Sequence, residues 1–245
     1  MTENSIFRGA ATALITPLTA DGIDYESFGR LIDWQIESGI DGLVICGTSG
    51  EGSTLSDKEH REALDFAIQR ADGRVPMIAG TGSNDIAYGI DLTKFACEIG
   101  YDAVLVVTPY YNKATQNGLI KSYMATADAS SKPCILYNVP SRTGVNIEPA
   151  TYDILADHPM IQGIKEANGN IAKIVETMSI VGDRLDLYSG NDDEIVPLLS
   201  VGGSGVISVL SNVFPRETSE MCKAFFRGET EKSRDMQLDM LDLIN

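Results

Sequence analysis

The run Ile161-Gln-Gly-Ile-Lys-Glu-Ala167 ends its apolar stretch on Lys165, at the carboxyl end of a strand-like segment where a lysine has little structural use. A free lysine amine titrates near 10.4, so only about one in a few thousand is uncharged at pH 7. Burial disfavours the ammonium form and lowers the pKa by several units, which frees the amine to form a Schiff base with a carbonyl substrate. Position alone also fits an ordinary surface lysine following a strand, so the reading of Lys165 turns on the residues around it.

Those residues gather in loops that follow other short apolar runs. Gly47-Thr-Ser-Gly-Glu-Gly52 offers two adjacent hydroxyls, Thr48 and Ser49, among glycines whose N–H groups can approach a ligand oxygen, although a plain glycine-rich turn has the same composition. It is no P-loop, because the Gly-Lys-Ser/Thr ending is absent. Thr108-Pro-Tyr-Tyr-Asn112 and Tyr137-Asn-Val-Pro-Ser-Arg-Thr-Gly144 place Tyr110, Tyr111 and Tyr137 at two consecutive exits, where phenols can relay protons. Arg142 adds a planar fork suited to a carboxylate, or to a surface ion pair. Ser189-Gly-Asn-Asp-Asp-Glu194 supplies Gly190 beside a helix start, and Gly202-Gly-Ser-Gly-Val-Ile-Ser208 carries Ile207. Asp192 and Asp193 read as a solvated helix start, with binding of a divalent ion as the other option. The two histidines, His60 and His158, are far apart, and no cysteine–histidine cluster or His-Glu-x-x-His supplies a metal site. No Gly-x-Ser-x-Gly elbow supports a serine hydrolase.

The elements that must position these groups are legible in the periodicity. Eight apolar runs, 11–17, 42–46, 76–80, 103–108, 134–138, 161–165, 185–189 and 205–209, recur about every 27 residues, one strand–loop–helix–loop unit. Helix signals fill the gaps, such as the capping box Ser56-Asp-Lys-Glu59 and Asn84-Asp-Ile-Ala ahead of a helix ending near Gly100. Eight such units imply an α/β fold, a (β/α)8 TIM barrel over 1–228 whose active site lies at the strands' carboxyl ends. A doubly wound sheet would want a phosphate-binding first turn, which the segment after Leu14 lacks. Residues 214–227 read as the last barrel helix, and 229–245 as one further helix, a C-terminal extension with Met236, Met240 and Leu243 on one side.

The 245 residues carry a formal net charge of −16, which argues against nucleic acid or an anionic membrane as partner and favours a small molecule held by local positive groups. Four cysteines without Cys-x-x-Cys spacing suit a reducing cytoplasm. The amino terminus lacks a basic segment followed by an apolar one, and no apolar run reaches the ~18 residues that span a bilayer.

Taken in order, Gly47-Thr-Ser-Gly-Glu51, Tyr110-Tyr-Asn112, Tyr137-Asn-Val-Pro-Ser-Arg-Thr-Gly144, Ile164-Lys-Glu-Ala167 and Ser189-Gly-Asn-Asp192 resemble the dihydrodipicolinate synthase (4-hydroxy-tetrahydrodipicolinate synthase) family, of the superfamily shared with N-acetylneuraminate lyase. The resemblance covers residues 5–228. It implies that Lys165 forms an imine with pyruvate and that no other cofactor or metal is needed. It further implies that Thr48 and Ser49 hold the pyruvate carboxylate, and that Tyr137 moves protons through the hydroxyl of Ser49 to a Tyr111 borrowed from a neighbouring subunit. Arg142 would bind the carboxylate of L-aspartate 4-semialdehyde, while Gly190 and Ile207 would line the pyruvate pocket. The implied enzyme is a cytoplasmic lyase of lysine and diaminopimelate biosynthesis, a homo-oligomer built as a dimer or a dimer of dimers.

Three departures from the family pattern stand out. Ser49 replaces a second threonine and loses the methyl that restricts its rotamer. The lysine feedback site of some members is matched at His60 and Asn84, with Tyr110 beside them, while Tyr88 stands where the family has a glutamate, which argues against feedback by lysine. Most relatives continue beyond position 245 into helices that support a tetramer. Another pyruvate-dependent class I aldolase, acting on a 2-keto-3-deoxy sugar acid or N-acetylneuraminate, and a catalytically inactive keto-acid-binding barrel are the alternative readings.

Overall fold

The computed structural model describes residues 5–244. Eight parallel strands, β1 (Gly9–Ala13), β2 (Gly42–Ile45), β3 (Met77–Gly80), β4 (Ala103–Val107), β5 (Cys134–Asn138), β6 (Ile161–Glu166), β7 (Asp186–Ser189) and β8 (Gly205–Ser208), close into a barrel. Each pairs with its neighbour in sequence, and β1 closes the ring against β8 from Gly9↔Gly205 to Thr12↔Ser208. The helices that follow the strands are α1 (Tyr25–Glu37), α2 (Asp57–Ala71), α3 (Ile86–Glu98), α4 (Gln116–Ala129), α5 (Pro149–Leu155), α6 (Ile171–Val181), α7 (Ile195–Ser200) and α8 (Pro215–Phe226). The expected (β/α)8 barrel is the fold.

Strand alternation divides the core in two. Ala11, Val44, Ile78, Leu105, Ile135 and Ile207 fill the barrel, and Phe7 stacks on Tyr188 with ring centroids 4.3 Å apart. The residues between them, such as Leu43, Ile45, Met77, Val104, Leu136 and Ile164, face the helices. The Tyr188 hydroxyl donates to the Phe7 carbonyl at 2.9 Å, so this phenol has a partner although it is buried. No helix among the described residues is long and apolar enough to cross a membrane.

Local signals hold where they are strong. Ser56 and Glu59 form the reciprocal capping box at α2 that their spacing predicts, and Asp85 caps α3. The first strand departs from expectation by starting at Gly9 and ending at Ala13 rather than covering 11–17. Leu14 still donates to the Val44 carbonyl, but the Ile15 N–H turns to the Asn212 side chain and the Thr16 hydroxyl to the Gly50 carbonyl, which takes the chain off the sheet.

The expected single helix over 229–245 is instead two, α9 (Thr230–Asp239) and α10 (Leu241–Ile244). Met240 ends α9 and is buried, whereas Leu243 faces solvent, so the three apolar residues do not share one face. Polar bonds hold α9 in place: the Gln237 side chain accepts from the Val196 N–H and donates to the Asp192 carbonyl, and the Ser233 hydroxyl donates to the Met221 carbonyl. The readings of the amino terminus and of this last helix extend onto residues 1–4 and 245, which lie outside the described residues.

Candidate active site

Lys165 sits on the inner face of β6, paired in register with Tyr137 on β5, and is 3% exposed. Its Nζ lies 4.2 Å from the centroid of the Tyr137 ring. Burial takes the amine down to about 8, with the Asp192 charge opposing that shift and the Arg142 charge adding to it. The Tyr137 phenol moves the other way: burial pushes it up, against the Thr48 hydroxyl and the Arg142 guanidinium. The arrangement is therefore an amine that loses its proton readily, under a phenol that keeps its own.

Above Tyr137 opens a cavity of about 290 Å³ at the carboxyl ends of the strands, walled by Thr48, Tyr110, Tyr137 and Arg142 and reaching inward to His60 and Gly80. Lys165 is not on this wall; its amine lies against the ring of Tyr137, which is. Thr48 and Ser49 lie in a tight turn in which the Gly52 N–H returns to the Gly47 carbonyl; Thr48 is on the cavity wall and its hydroxyl meets Tyr137, whereas Ser49 is not on that wall. That closure requires glycine at position 52, where a Cβ would fall 2.1 Å from the Cys46 carbonyl oxygen. Arg142 rides on a one-turn helix, Pro140–Thr143, in the β5–α5 loop.

Gly190 packs directly on the lysine. Its N–H donates to the Glu166 carbonyl at 2.7 Å, and a Cβ there would lie 2.8 Å from the Ala167 Cβ and 3.2 Å from the Lys165 Cε. Ile207 is buried on the inner face of β8. Tyr111 stands apart from this group, 86% exposed, with a positive φ of 70°.

The residues matched to a feedback site are only partly together. His60 and Tyr110 share the cavity wall, whereas Asn84 meets the neighbouring loop through its backbone carbonyl, which accepts from the Asn112 side chain. His60 binds the Gly80 carbonyl through Nε2, while its Nδ1, turned toward Gly52, has no hydrogen bond of normal geometry. The Tyr88 hydroxyl faces Asp57.

Asp192 corrects the expectation of a solvated helix start or a divalent-ion pair with Asp193. Its carboxylate is buried and accepts from the Ser208 hydroxyl and from the Val209 and Leu210 N–H groups at 3.0 and 2.9 Å. Those donors hold the loop after β7 against the loop after β8 and occupy the oxygens a metal would need.

Two polar residues behind the barrel wall escape the sequence reading. Glu166 and Asn138 are register partners one step beyond Lys165 and Tyr137, both fully buried and facing the helices. Glu166 accepts from the Asn138 side chain at 2.9 and 3.2 Å, from the Asn168 N–H at 3.0 Å and from the Tyr152 hydroxyl at 3.0 Å. Burial raises its carboxyl to about 7 against these donors. The available signal was a carboxylate next to Lys165 in an otherwise apolar strand: period-2 alternation sends it to the face opposite the amine.

The profile of the dihydrodipicolinate synthetase family matches residues 6–245. The chain is 48% identical over 240 residues to the 4-hydroxy-tetrahydrodipicolinate synthase of Clostridium perfringens, across 98% of this chain and 82% of that one. Among solved structures it superposes with a TM-score of 0.94 and 40% identity on the chloride-inhibited dihydrodipicolinate synthase of Acinetobacter baumannii complexed with pyruvate, covering 97% of this chain and 82% of that one. A monomeric dihydrodipicolinate synthase variant matches with the same TM-score and identity, over 98% of this chain and 81% of that one. With the profile spanning nearly every residue and the lysine buried at the end of β6, the chain belongs to the dihydrodipicolinate synthetase family.

Proposed function

We propose that the chain is a lyase that condenses pyruvate with L-aspartate 4-semialdehyde to 4-hydroxy-tetrahydrodipicolinate, in the cytoplasm, on the way to diaminopimelate and lysine. The observation that carries this is the buried Lys165 amine, brought down to about 8 and set under the Tyr137 ring. The neutral amine attacks the ketone carbon of pyruvate, and water leaves as the imine forms. Loss of a methyl proton gives the enamine, whose carbon bonds to the aldehyde carbon of the second substrate while the aldehyde oxygen takes up a proton. The substrate's own amine then attacks the imine carbon, closes the ring and releases Lys165.

In this reading Thr48 and Ser49 hold the pyruvate carboxylate with hydroxyl and N–H donors, and the backbone at Gly190 and Ile207 lines the same pocket. Tyr137, kept protonated by its burial, delivers and takes back protons at the carbinolamine. Arg142, exposed at the cavity mouth, receives the carboxylate of the aldehyde substrate. Tyr111 makes little contact with its own chain and is offered to a neighbouring subunit of a homo-oligomer, where it completes the proton relay. Tyr88 stands where a carboxylate would pair a lysine amine, and its hydroxyl engages Asp57, the acid whose charge acts on His60, so the enzyme escapes feedback by lysine. The catalytic domain is taken as 1–228, of which residues 5–228 are described, with 229–245 as its extension.

Borohydride reduction with pyruvate tests the core. The expected result is one pyruvate-derived mass increment on Lys165, absent from Lys165→Ala; no increment, or the same increment in the variant, overturns it. Arg142→Ala separates the second substrate from other aldehydes, because trapping persists while turnover of aspartate semialdehyde collapses.

A further inference from the structure

Glu166 is a buried carboxylate that no step of the proposed chemistry touches, and a buried charge survives only where hydrogen bonds replace its water. Its donors come from three segments: Asn138 at the end of β5, Asn168 beyond the exit of β6, and Tyr152 on α5. Asn138 extends the set, donating to the Asn146 side-chain oxygen at 2.8 Å and accepting from the Ile147 N–H at 3.1 Å. These bonds bracket residues 139–146, the loop that carries Arg142. The β5–β6 ladder already fixes Tyr137 against Lys165 through its backbone, so what the carboxylate adds is the closure of that loop onto the strand bearing the amine.

We infer that Glu166 is a positioning residue that acts through Asn138 and Tyr152 to hold the Arg142 loop at a fixed distance from Lys165, and so sets where the carboxylate of the second substrate rests relative to the enamine. This rests on the reading above in which Arg142 binds that carboxylate. Ionised, as it is above about pH 7, the group only accepts, and every group turned toward it donates, so the kinetic comparisons below are made at pH 8.

Glu166→Gln tests it with little change in volume. The glutamine keeps one acceptor oxygen but turns an NH2 group toward the Asn138 amide, donor against donor, which loosens the clamp. The expected result is a KM for aspartate semialdehyde raised about tenfold, with the yield of borohydride-trapped pyruvate imine within about twofold of wild type. On the residual turnover of an Arg142→Ala background, measured at high enzyme concentration, the same change should cost nothing further in kcat/KM for the aldehyde, because the two residues then act on one step. Tyr152→Phe removes one donor without stranding the carboxylate, and should raise the same KM by about threefold, deciding the matter if Glu166→Gln does not fold. An equal loss in wild-type and Arg142→Ala backgrounds, or a matching loss of pyruvate trapping, shows that Glu166 serves the fold alone and overturns the inference. Failure of wild type to trap pyruvate would instead remove the functional reading beneath it.

Discussion

The Lys165 amine lies 4.2 Å from the centre of the Tyr137 ring, and the two residues are register partners on adjacent strands, so backbone hydrogen bonds hold amine and phenol together before any substrate arrives. Tyr137→Phe keeps the ring over the amine and removes only the hydroxyl. The expected loss is ~10²–10⁴ in kcat, the usual worth of a positioned proton donor, with the melting temperature little changed. A loss below about tenfold in steady-state turnover would move the proton shuttle to another group.

Imine formation should rise with pH through about 8 and level off above it, because the neutral amine is the nucleophile. At pH 7 about one amine in ten is then neutral, against one in a few thousand for free lysine. The stability effect has the same sign. The folded pKa lies below the unfolded one, so the unfolded state binds more protons between about 8 and 10.5, and the cost of burying Lys165 is relieved as pH rises across that window. Single-turnover trapping rates from pH 6 to 10 check the kinetic part, and a rate flat across this range refutes it.

Glu166 contributes in the opposite direction. Its folded pKa of about 7 lies above the ordinary glutamate value of 4.5, so the folded state binds more protons between these limits and loses stability as pH rises from 4.5 to 7. Melting curves should therefore show Glu166→Gln losing less stability than wild type over that interval. Parallel curves would mean that the side chain's hydrogen bonds fully offset its burial.

Gly190→Ala should abolish trapping at Lys165 while the protein still folds. The new methyl meets the Ala167 Cβ at 2.8 Å and the Lys165 Cε at 3.2 Å, and overpacking of this kind typically costs about 1–3 kcal/mol. The lysine side chain is the most flexible neighbour, but moving it leaves the Ala167 Cβ at 2.8 Å and the Glu166 carbonyl oxygen at 3.1 Å, so the loop after β7 must shift as well. Mass spectrometry after borohydride treatment decides; full trapping would show that the loop shift alone makes room.

Tyr111→Ala and Lys165→Ala should each be inactive and should recover activity when mixed, up to about a quarter of wild type, since half the sites in half the dimers then hold an intact lysine and a partner's tyrosine. Recovery that disappears on dilution would follow from loss of the partner. Wild-type activity in Tyr111→Ala alone would end the role proposed for this residue.

The eight-unit barrel and, on the cavity wall, Thr48, His60, Tyr110, Tyr137 and Arg142 were legible in the chain, because strand periodicity is local and the carboxyl ends of barrel strands are where sites form. The strand containing Lys165, the Ser56 capping box and the hydroxyl turn at Thr48 all read correctly for that reason. The first strand and the break at Met240 did not, since each depends on partners far away: the Asn212 side chain takes up the Ile15 N–H, and Gln237 fastens α9 to the Val196 and Asp192 backbone.

By itself the sequence determined the order of elements, the amine at the end of the sixth strand and the groups that follow its neighbours. Only the tertiary structure decided that Asp192 is a buried acceptor rather than a solvated cap, that Glu166 and Asn138 brace the wall behind the amine, and that burial brings the Lys165 amine down to about 8. The reason is physical: identity and periodicity are properties of neighbours along the chain, whereas burial, charge and hydrogen-bond satisfaction depend on which distant segments close over a side chain.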